Sequence, residues 1–385
     1  MTSLVPDLER FAVAFRVDAG AQIGSGHVMR TLTLAEALKR RGAQVRFVSR
    51  HMPAHFQRML VERGHEFVAL AEAGGGGEGD DLAHAPWLGT SQAHDANQTA
   101  QALSDRKWNW LIVDHYALDS RWETRLRPFT ERIMVVDDLA DRVHDCDVLL
   151  DQNLIEGYQS RYVGKVSASC RTLLGPHYAL LQPVYAEMHL QVRPRSGPIR
   201  RIFLYFGAGD RHNITGRSIA AFLQLGQEDI EVDVVLGSDS SHLDSILQQV
   251  AGHPRIHLHS GLATIAPLLA AADLAIGACG ATSWERLCLG LPAIVVTLAE
   301  NQRPVAAFLH GQNLVHWVGN NEEADQQAIA QALERLLHSS VLADWSRRSL
   351  RICNGRGAQE VLRVMADLSG NGFSKARPSA PASYT

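Results

Sequence analysis

The stretch FAVAFRVDAGAQIGSGHVMRTLTLAEALKRRGAQVRFV, residues 11–48, decides the fold class. It opens with the apolar segment Phe11–Val17, which is typical of a buried strand. A glycine-containing turn leads to His27, and apolar residues then recur at helical spacing as far as Gly42. The apolar segment Val45–Val48 predicts the next strand. This order of strand, helix and strand predicts a parallel sheet covered by helices, which is the α/β class.

The same alternation continues to about residue 310, and one segment divides it near the middle. Residues 191–200 are rich in Pro, Arg and Gly, which predicts a linker. We therefore expect a Rossmann-like domain over residues 11–190 and a second over residues 201–368, which includes the C-terminal helices. Residues 369–385 are expected to form a disordered tail. A length of 385 residues is consistent with two domains.

The composition of the chain argues against several classes of protein. The net charge of −4 argues against a nucleic-acid partner held by a broad basic surface. The five cysteines form no CxxC pair, and no apolar run is long enough to span a bilayer, so we expect a cytoplasmic protein without membrane insertion. The histidines form no metal-ligating motif; His257 and His259 alternate on a predicted strand without a carboxylate beside them. We expect no metal and no cofactor, and the oligomeric state stays open.

Ligands of parallel sheets bind beyond the carboxyl ends of the strands, so two such domains predict a site in the cleft between them. The first such loop contains Gly24 and Gly26, which allow close approach of a ligand to the backbone, and then His27. Near a helix N-terminus His27 would favour its neutral form and could act as a general base; the alternative is a capping or core histidine. Arg16 and Asp18 could orient His27 or hold the ligand, or form a surface salt bridge.

Two further loops of the first half carry polar residues after a strand. Tyr116 could donate a hydrogen bond to a substrate oxygen. Asp114 could anchor a neighbouring loop, but it is more typical of a buried acid that accepts backbone N–H groups. Asp137 and Asp138 are adjacent acids that suggest metal binding or glycosidase-like chemistry, although helix capping is the commoner use.

In the second half, two glycine turns follow strands. Gly207 and Gly209 form a turn that copies the placement of the first loop. Residues 277–292 form a glycine-rich turn followed by a helix that begins near Thr282 and Ser283, which suits a diphosphate. Glu285 could accept two hydrogen bonds from a ribose diol, or it could be a helix-dipole acid.

Asn301 and Gln302 come after the next strand, at the start of another helix. Their amides could bind sugar or phosphate, and the alternative is ordinary N-capping.

These stretches together resemble a known family. The residues in question are FRVDAGAQIGSGHVMR at 15–30, IVDHY at 112–116, VVDDLADR at 135–142, the GAGD turn at 207–210, and GATSWERLCLGLPAIVVTLAENQ at 280–302. They resemble the two-domain glycosyltransferases of the GT-B architecture and, within that superfamily, the UDP-sugar hydrolases of pseudaminic acid biosynthesis. The resemblance spans residues 15–310. The chain departs from it in a Gly-rich insertion at residues 71–89 and in a C-terminal extension past about residue 322.

The resemblance implies a UDP-sugar substrate, hydrolysed at the anomeric carbon with inversion. It implies that His27 is the general base and that Tyr116, which lines the sugar side, is a second catalytic residue. It also implies that Glu285, Asn301 and Gln302 contact the nucleotide side. Three alternatives stay open: a GT-B glycosyltransferase that passes the sugar to an acceptor, a non-enzymatic nucleotide-sugar binder, and a metal-dependent phosphohydrolase.

Overall fold

The computed structural model describes residues 11–20, 22–72, 80–207, 210–237 and 240–370, which form two parallel sheets flanked by helices. The first sheet contains β1 Ala12–Val17, β2 Gln44–Ser49, β3 Glu66–Ala69, β4 Trp108–Asp114, β5 Thr130–Val136, β6 Val148–Asp151 and β7 Arg171–Leu174. The second contains β8 Arg201–Tyr205, β9 Glu231–Val235, β10 Ile256–His259, β11 Leu274–Ala278, β12 Ala293–Thr297 and β13 Val315–Asn320.

Helices lie on both faces of each sheet. Those that follow strands of the first sheet are α1 Gly26–Lys39, α2 Ala54–Glu62, α3 Gln92–Ala102, α4 Ser120–Leu126 and α5 Pro183–His189. Those after the start of the second sheet are α6 Ile214–Gln224, α7 Leu243–Val250, α8 Ala266–Ala271, α9 Thr282–Cys288, α10 Arg303–Gly311, α11 Gln326–Leu337, α12 Leu342–Ile352 and α13 Gly357–Leu368. No helix in these described ranges is long and apolar enough to cross a membrane.

The order of the strands in each sheet shows where a ligand site is expected. The sheets run β3-β2-β1-β4-β5-β6-β7 and β10-β9-β8-β11-β12-β13, with every pair parallel. The order reverses between β1 and β4 in the first sheet and between β8 and β11 in the second. Helices leave these paired strands toward opposite faces, so a crevice opens beyond their carboxyl ends. Most of the loops with candidate residues follow these four strands.

Strand β1 is buried on both faces, because its alternating side chains enter two different cores. Val13, Phe15 and Val17 pack in one core with α1, while Ala12 and Ala14 pack in another under α3 and α4. The second sheet is likewise covered on both faces, by α6 and α11 on one side and by α8, α9 and α10 on the other. These are sheets without a solvated face, and their strands accordingly read as nearly continuous apolar runs.

Each half contributes one helix to the core of the other half. Tyr185 of α5 belongs to the core of the second sheet, together with residues of α8 and α9. In return, Val361, Leu362 and Met365 of the last helix, α13, pack in the core of the first sheet with α1. The sequence pattern assigns α5 to the first domain and α13 to the second, and the packing differs at both positions. An amphipathic pattern shows that a helix has an apolar face, but it does not identify the sheet that buries this face.

One strand of the first sheet was not expected from the sequence, and two other segments lie wholly or partly outside the described residues. Strand β7, residues 171–174, is not predicted by the sequence pattern: it is a four-residue edge strand whose first two residues are exposed, so it lacks an apolar pattern. The expected disordered tail lies outside the described residues from position 371 onward, as does part of the Gly-rich insertion, residues 73–79.

We expect that Gly357→Ala destabilises the fold by about 2 kcal/mol, because the added Cβ would overlap with backbone atoms of Tyr178 and Ala179, where α13 meets the first half. Gly311→Ala is the matched control: it lies at the end of α10 with open space around it, and alanine favours a helix. Urea unfolding measures both. A Gly357→Ala variant as stable as the control would show that this helix junction tolerates displacement.

Candidate functional site

The loop after β1 brings His27 to the cleft. Gly20 and Gly24 close a tight turn through a backbone hydrogen bond of 2.8 Å, and Gly24 takes a φ of 79°, a conformation that favours glycine. Helix α1 then begins at Gly26, which lines the cleft, and His27 is its second residue. Gly24 itself does not line the cleft, so its contribution is the shape of the turn.

His27 is held by an acid from the neighbouring strand. Its Nδ1 lies 2.6 Å from Oδ1 of Asp114, the last residue of β4, which pairs with Val17 at the end of β1. The expectation that Asp114 accepts backbone N–H groups is therefore wrong, because its partners are side chains. Burial raises the pKa of Asp114, but the charge of Arg30 and the hydrogen bonds from Arg30 and His27 outweigh burial and lower it to about 2. The charged carboxylate favours the tautomer with hydrogen on Nδ1, which leaves Nε2 free to accept a proton.

The Asp114 carboxylate is held in position by Arg30, which the sequence analysis did not identify. Its Nε lies 2.6 Å from Oδ2 of Asp114 and its Nη1 lies 2.9 Å from Oδ2 of Asp138. Arg30 is one helical turn after His27 and so lies on the same face of α1, which is the signal that could have identified it. The guanidinium thus ties the ends of β4 and β5 to α1.

Tyr116 completes this part of the cleft. Its hydroxyl donates a hydrogen bond to Asp138, and its ring packs edge-on against His27 at a centroid distance of 4.6 Å. Burial and the charge of Asp138 raise the pKa of the Tyr116 phenol well above its usual value, so it stays protonated. In this structure the hydroxyl donates to Asp138, and donation to a substrate oxygen stays a prediction.

The adjacent acids Asp137 and Asp138 have different surroundings. Asp137 is fully buried and accepts hydrogen bonds from Tyr162 and the backbone of Ala140, with Arg142 at 3.0 Å, whereas Asp138 lines the cleft. Asp137 is therefore a structural acid rather than half of a catalytic pair. Within the described ranges, no three His, Cys, Asp or Glu side chains are grouped so that they could hold a metal ion.

The structure contradicts the expectation that no carboxylate lies beside the histidines of β10. His257 lies 2.5 Å from Glu231 and His259 lies 2.8 Å from Asp233, both on the neighbouring strand β9. The sequence around the histidines shows no carboxylate because the partners are 26 residues away along the chain. These are paired side chains on a sheet and not part of the cleft lining.

Arg16 and Asp18 do not line the cleft. Arg16 donates to Asp18 at 2.6 Å and to Asp95 of α3 at 2.8 Å, and none of the three is accessible to solvent. Asp18 in turn accepts from the backbone of Arg50 and from the Ser49 hydroxyl. The pair forms a salt bridge, but in the core rather than on the surface. It joins β1 to α3 and does not touch His27.

The second half contributes an unusual carboxylate. Glu285 is in the first turn of α9 and lines the cleft, yet its Oε2 is buried and has no hydrogen-bond partner among the described residues. Burial raises the pKa of its carboxyl to about 7. Tyr185 lines the same part of the cleft, and its hydroxyl lies close enough to Glu285 to act on the pKa of that carboxyl in the lowering direction, without outweighing burial. A buried carboxylate oxygen without a hydrogen-bond partner, such as Oε2 of Glu285, is unfavourable unless a ligand pairs with it.

The structure places most of the other expected residues of the second half at the cleft. Gly207, with a φ of 88°, Thr282, Asn301 and Gln302 line the cleft, and the Gln302 carbonyl oxygen accepts from the backbone of Leu298 at 2.9 Å. Ser283 does not: it is buried and accepts from Arg286 at 3.0 Å. Gly209 lies outside the described residues.

The cleft has two adjoining compartments, which share part of their lining. The larger, of about 600 Å³, contains His27, Tyr116, Asp138 and Asn301, and we call it the first compartment. The smaller, of about 390 Å³, contains Glu285 and we call it the second compartment. The residues that line both are Gly26, Arg30, Gln152, Gly280, Ala281, Trp284 and Gln302. A ligand that fills both would therefore pass between α1 and the turn before α9.

The architecture with two Rossmann-like sheets across a cleft is the GT-B type, and solved structures support this. The chain is similar to MurG of Acinetobacter baumannii, with a TM-score of 0.62 and 14% identity over 93% of this chain and 99% of that one. It is equally similar to UGT71G1 of Medicago truncatula in complex with UDP-glucose, with a TM-score of 0.62 and 11% identity over 94% and 100%. The expected fold class is confirmed.

Sequence relatives are distant. No protein-family model matches the chain. It is 21% identical over 360 residues to the spore coat polysaccharide biosynthesis protein SpsG of Bacillus subtilis, across 92% of this chain and 98% of SpsG. It is 23% identical over 298 residues to UDP-2,4-diacetamido-2,4,6-trideoxy-beta-L-altropyranose hydrolase of Campylobacter jejuni, across 77% of this chain and 95% of the hydrolase. The resemblance to that hydrolase within the GT-B architecture is thus confirmed at this distance.

Proposed function

We propose that the chain hydrolyses a UDP-linked 2,4-diacetamido-2,4,6-trideoxy hexose and releases UDP and the free sugar with inversion, in pseudaminic acid biosynthesis. The observation that carries the proposal is that His27, held by Asp114, and Glu285 line adjoining compartments of one cleft. A base and a nucleotide-binding carboxylate would thereby lie on opposite sides of the passage that a sugar–phosphate bond would occupy.

In the proposed reaction, Nε2 of His27 takes a proton from water while the water oxygen forms a bond to the anomeric carbon. The bond between that carbon and the diphosphate oxygen breaks, and its electron pair leaves with UDP. Asp114 stabilises the imidazolium that forms, as its charge and its 2.6 Å contact with Nδ1 allow. Attack on the face opposite UDP inverts the configuration at this carbon.

The nucleotide would occupy the second compartment. Glu285 would accept hydrogen bonds from the ribose hydroxyls, because its Oε2 is buried without a partner among the described residues. The diphosphate would lie near Gly280 and Thr282, where Gln302 could offer its amide NH₂ group while its carbonyl oxygen stays bonded to Leu298. Oriented donors at this position would stabilise the charge that develops on the leaving UDP.

Isotope labelling tests the reaction. Incubation with the UDP-linked 2,4-diacetamido sugar in ¹⁸O-water is expected to place the label on the sugar hydroxyl. Label on phosphate would mean cleavage at phosphorus and would overturn the proposal in favour of a phosphohydrolase.

A glycosyltransferase is the second candidate, since the fold is similar to that of UGT71G1, which was solved in complex with UDP-glucose. It would use the same cleft but transfer the sugar to an acceptor. Release of free sugar at full rate in buffer that contains only the UDP-sugar supports the hydrolase. Turnover that requires an added acceptor supports the transferase.

The affinity for UDP is expected to increase between pH 6 and pH 8. A carboxyl with a pKa of about 7 is largely protonated at pH 6, and only the charged form can accept both ribose hydroxyls. Glu285→Gln should bind UDP about tenfold more weakly at pH 8 and should show only the pH dependence of the UDP phosphate itself. Calorimetric titration at each pH measures this. Equal pH dependence in both proteins would refute the assignment of Glu285 to the ribose.

A further inference from the structure

One wall of the first compartment comes from the Gly-rich insertion, by which this chain departs from the family pattern. The end of the insertion forms a short 3-10 turn, Ala85–Leu88, and the side chains of Trp87 and His84 line the compartment beside Tyr116. Nothing in the proposed hydrolysis uses these two residues. They also lie outside the stretches of sequence that carry the family resemblance.

The turn is anchored at both ends, so its side chains are held in place. Leu88 is fully buried in the core that also contains Trp122. Gln92, the first residue of α3, donates its backbone N–H to Asp80 at 2.7 Å, and its side-chain oxygen accepts from the backbone of Asp119 at 3.0 Å. A wall fixed in this way can discriminate between ligands, because it does not rearrange easily around a poor fit.

The rings of this wall form one continuous surface. Trp87 stacks on Tyr116 with a centroid distance of 5.5 Å and an interplanar angle of 30°. His84 packs edge-on against both, at 4.6 Å from Trp87 and 5.2 Å from Tyr116. Tyr116 in turn contacts His27. The compartment therefore has an aromatic side that reaches to the proposed base, while Asp138, Gln152, Asn153 and Asn301 contribute to its polar lining.

His84 adds one hydrogen-bonding group to the aromatic side. Burial lowers the pKa of His84, so the ring is neutral at pH 7. Its Nδ1 is buried and has no partner among the described residues. Because an orphaned N–H is rarer than an orphaned acceptor, the proton is expected on Nε2. His84 then offers a donor, Nε2–H, next to a flat apolar surface.

We propose that Trp87 and His84 form the specificity wall of the first compartment and select a sugar that carries an N-acyl group. A planar acetamido group matches both features: its apolar face and methyl group pack on the indole, and its carbonyl oxygen accepts from His84. A hydroxyl in the same place would leave the indole facing water. This inference rests on the proposed UDP-sugar site. It assigns recognition of the N-acyl group to residues of the insertion.

The test compares the binding of UDP-N-acetylglucosamine, UDP-glucose and UDP, since the two sugars differ only in carrying an acetamido group or a hydroxyl at carbon 2. The wild-type chain is expected to bind UDP-N-acetylglucosamine about tenfold more tightly than UDP-glucose. Trp87→Ala and His84→Ala should each lower this ratio toward one and leave UDP affinity unchanged. Trp87→Phe, which keeps an aromatic face, should retain most of the preference.

His94→Ala is the matched control, because His94 is exposed on α3 and does not line the cleft. It should leave the ratio unchanged. A wild-type chain that binds UDP but prefers neither sugar, or Trp87→Ala and His84→Ala variants that keep the preference, would overturn the inference and leave the nucleotide site standing. A wild-type chain that binds no UDP would overturn the proposed function, and this inference with it.

Discussion

His27→Asn is expected to lower kcat for hydrolysis of the UDP-linked diacetamido sugar by about 10³-fold and to leave UDP affinity unchanged. The asparagine can still donate to Asp114 from its amide, so the local packing with Arg30 is kept. It cannot accept a proton from water, and general-base catalysis contributes about 10²–10⁴-fold. Steady-state kinetics and calorimetric binding of UDP measure the two effects separately.

The binding measurement distinguishes a lost base from a misfolded cleft. UDP is assigned to the second compartment, which His27 does not line, so intact binding shows that the variant folds. His55→Asn is the control, since His55 is exposed on α2. Turnover of His27→Asn within a few-fold of wild type would mean that another group activates water.

The features that sequence reasoning captured are local. The segment from β1 to α1 carries its own signals, a continuous apolar strand, glycines and a helical period, so both the α/β class and the position of His27 in the cleft could be read from this one stretch. Glu285 was identifiable for the same reason, because it follows a glycine turn at the start of a helix. Its raised pKa was not, since this depends on burial by other parts of the chain.

The features that were missed depend on distant partners. Asp114 is 87 residues from His27, and the pairing follows from β4 lying beside β1, which local pattern does not give. Arg16 lies on the face of β1 that α3 covers, where Asp95 meets it from 79 residues away. The sequence signal was present, since an arginine within an apolar strand requires a buried acid; Asp18 was identified as a possible partner, but Asp95 was not. Trp87 was missed because it lies in the Gly-rich insertion, outside the stretches that carry the family resemblance.

The expected effect of Asp114→Asn separates orientation from proton transfer. The amide that replaces the carboxylate can keep the shape of the site, but the substitution removes the charge that stabilises the imidazolium and the Nδ1–H tautomer. We expect kcat to fall by about 10²–10⁴-fold with UDP affinity unchanged, because Asp114 is buried and does not line the compartment assigned to UDP. In the double variant with His27→Asn, the two losses should not add, since both residues act through one proton transfer. Losses that multiply would mean that Asp114 acts independently of His27.

Asp114→Asn should also change stability, with a specific dependence on pH. The substitution leaves the buried Arg30 with Asp138 as its remaining acid and is expected to cost about 3 kcal/mol at pH 7. The pKa of Asp114 in the folded chain, about 2, is below its usual value of 3.8, so its contribution is present above pH 4 and is lost as the pH falls toward 2. The difference in unfolding free energy between wild type and variant should therefore shrink over that range in urea titrations. A constant difference from pH 7 to pH 2 would mean that lost packing, rather than lost charge, destabilises the variant, and the Asp114–Arg30 ion pair would no longer explain how His27 is held.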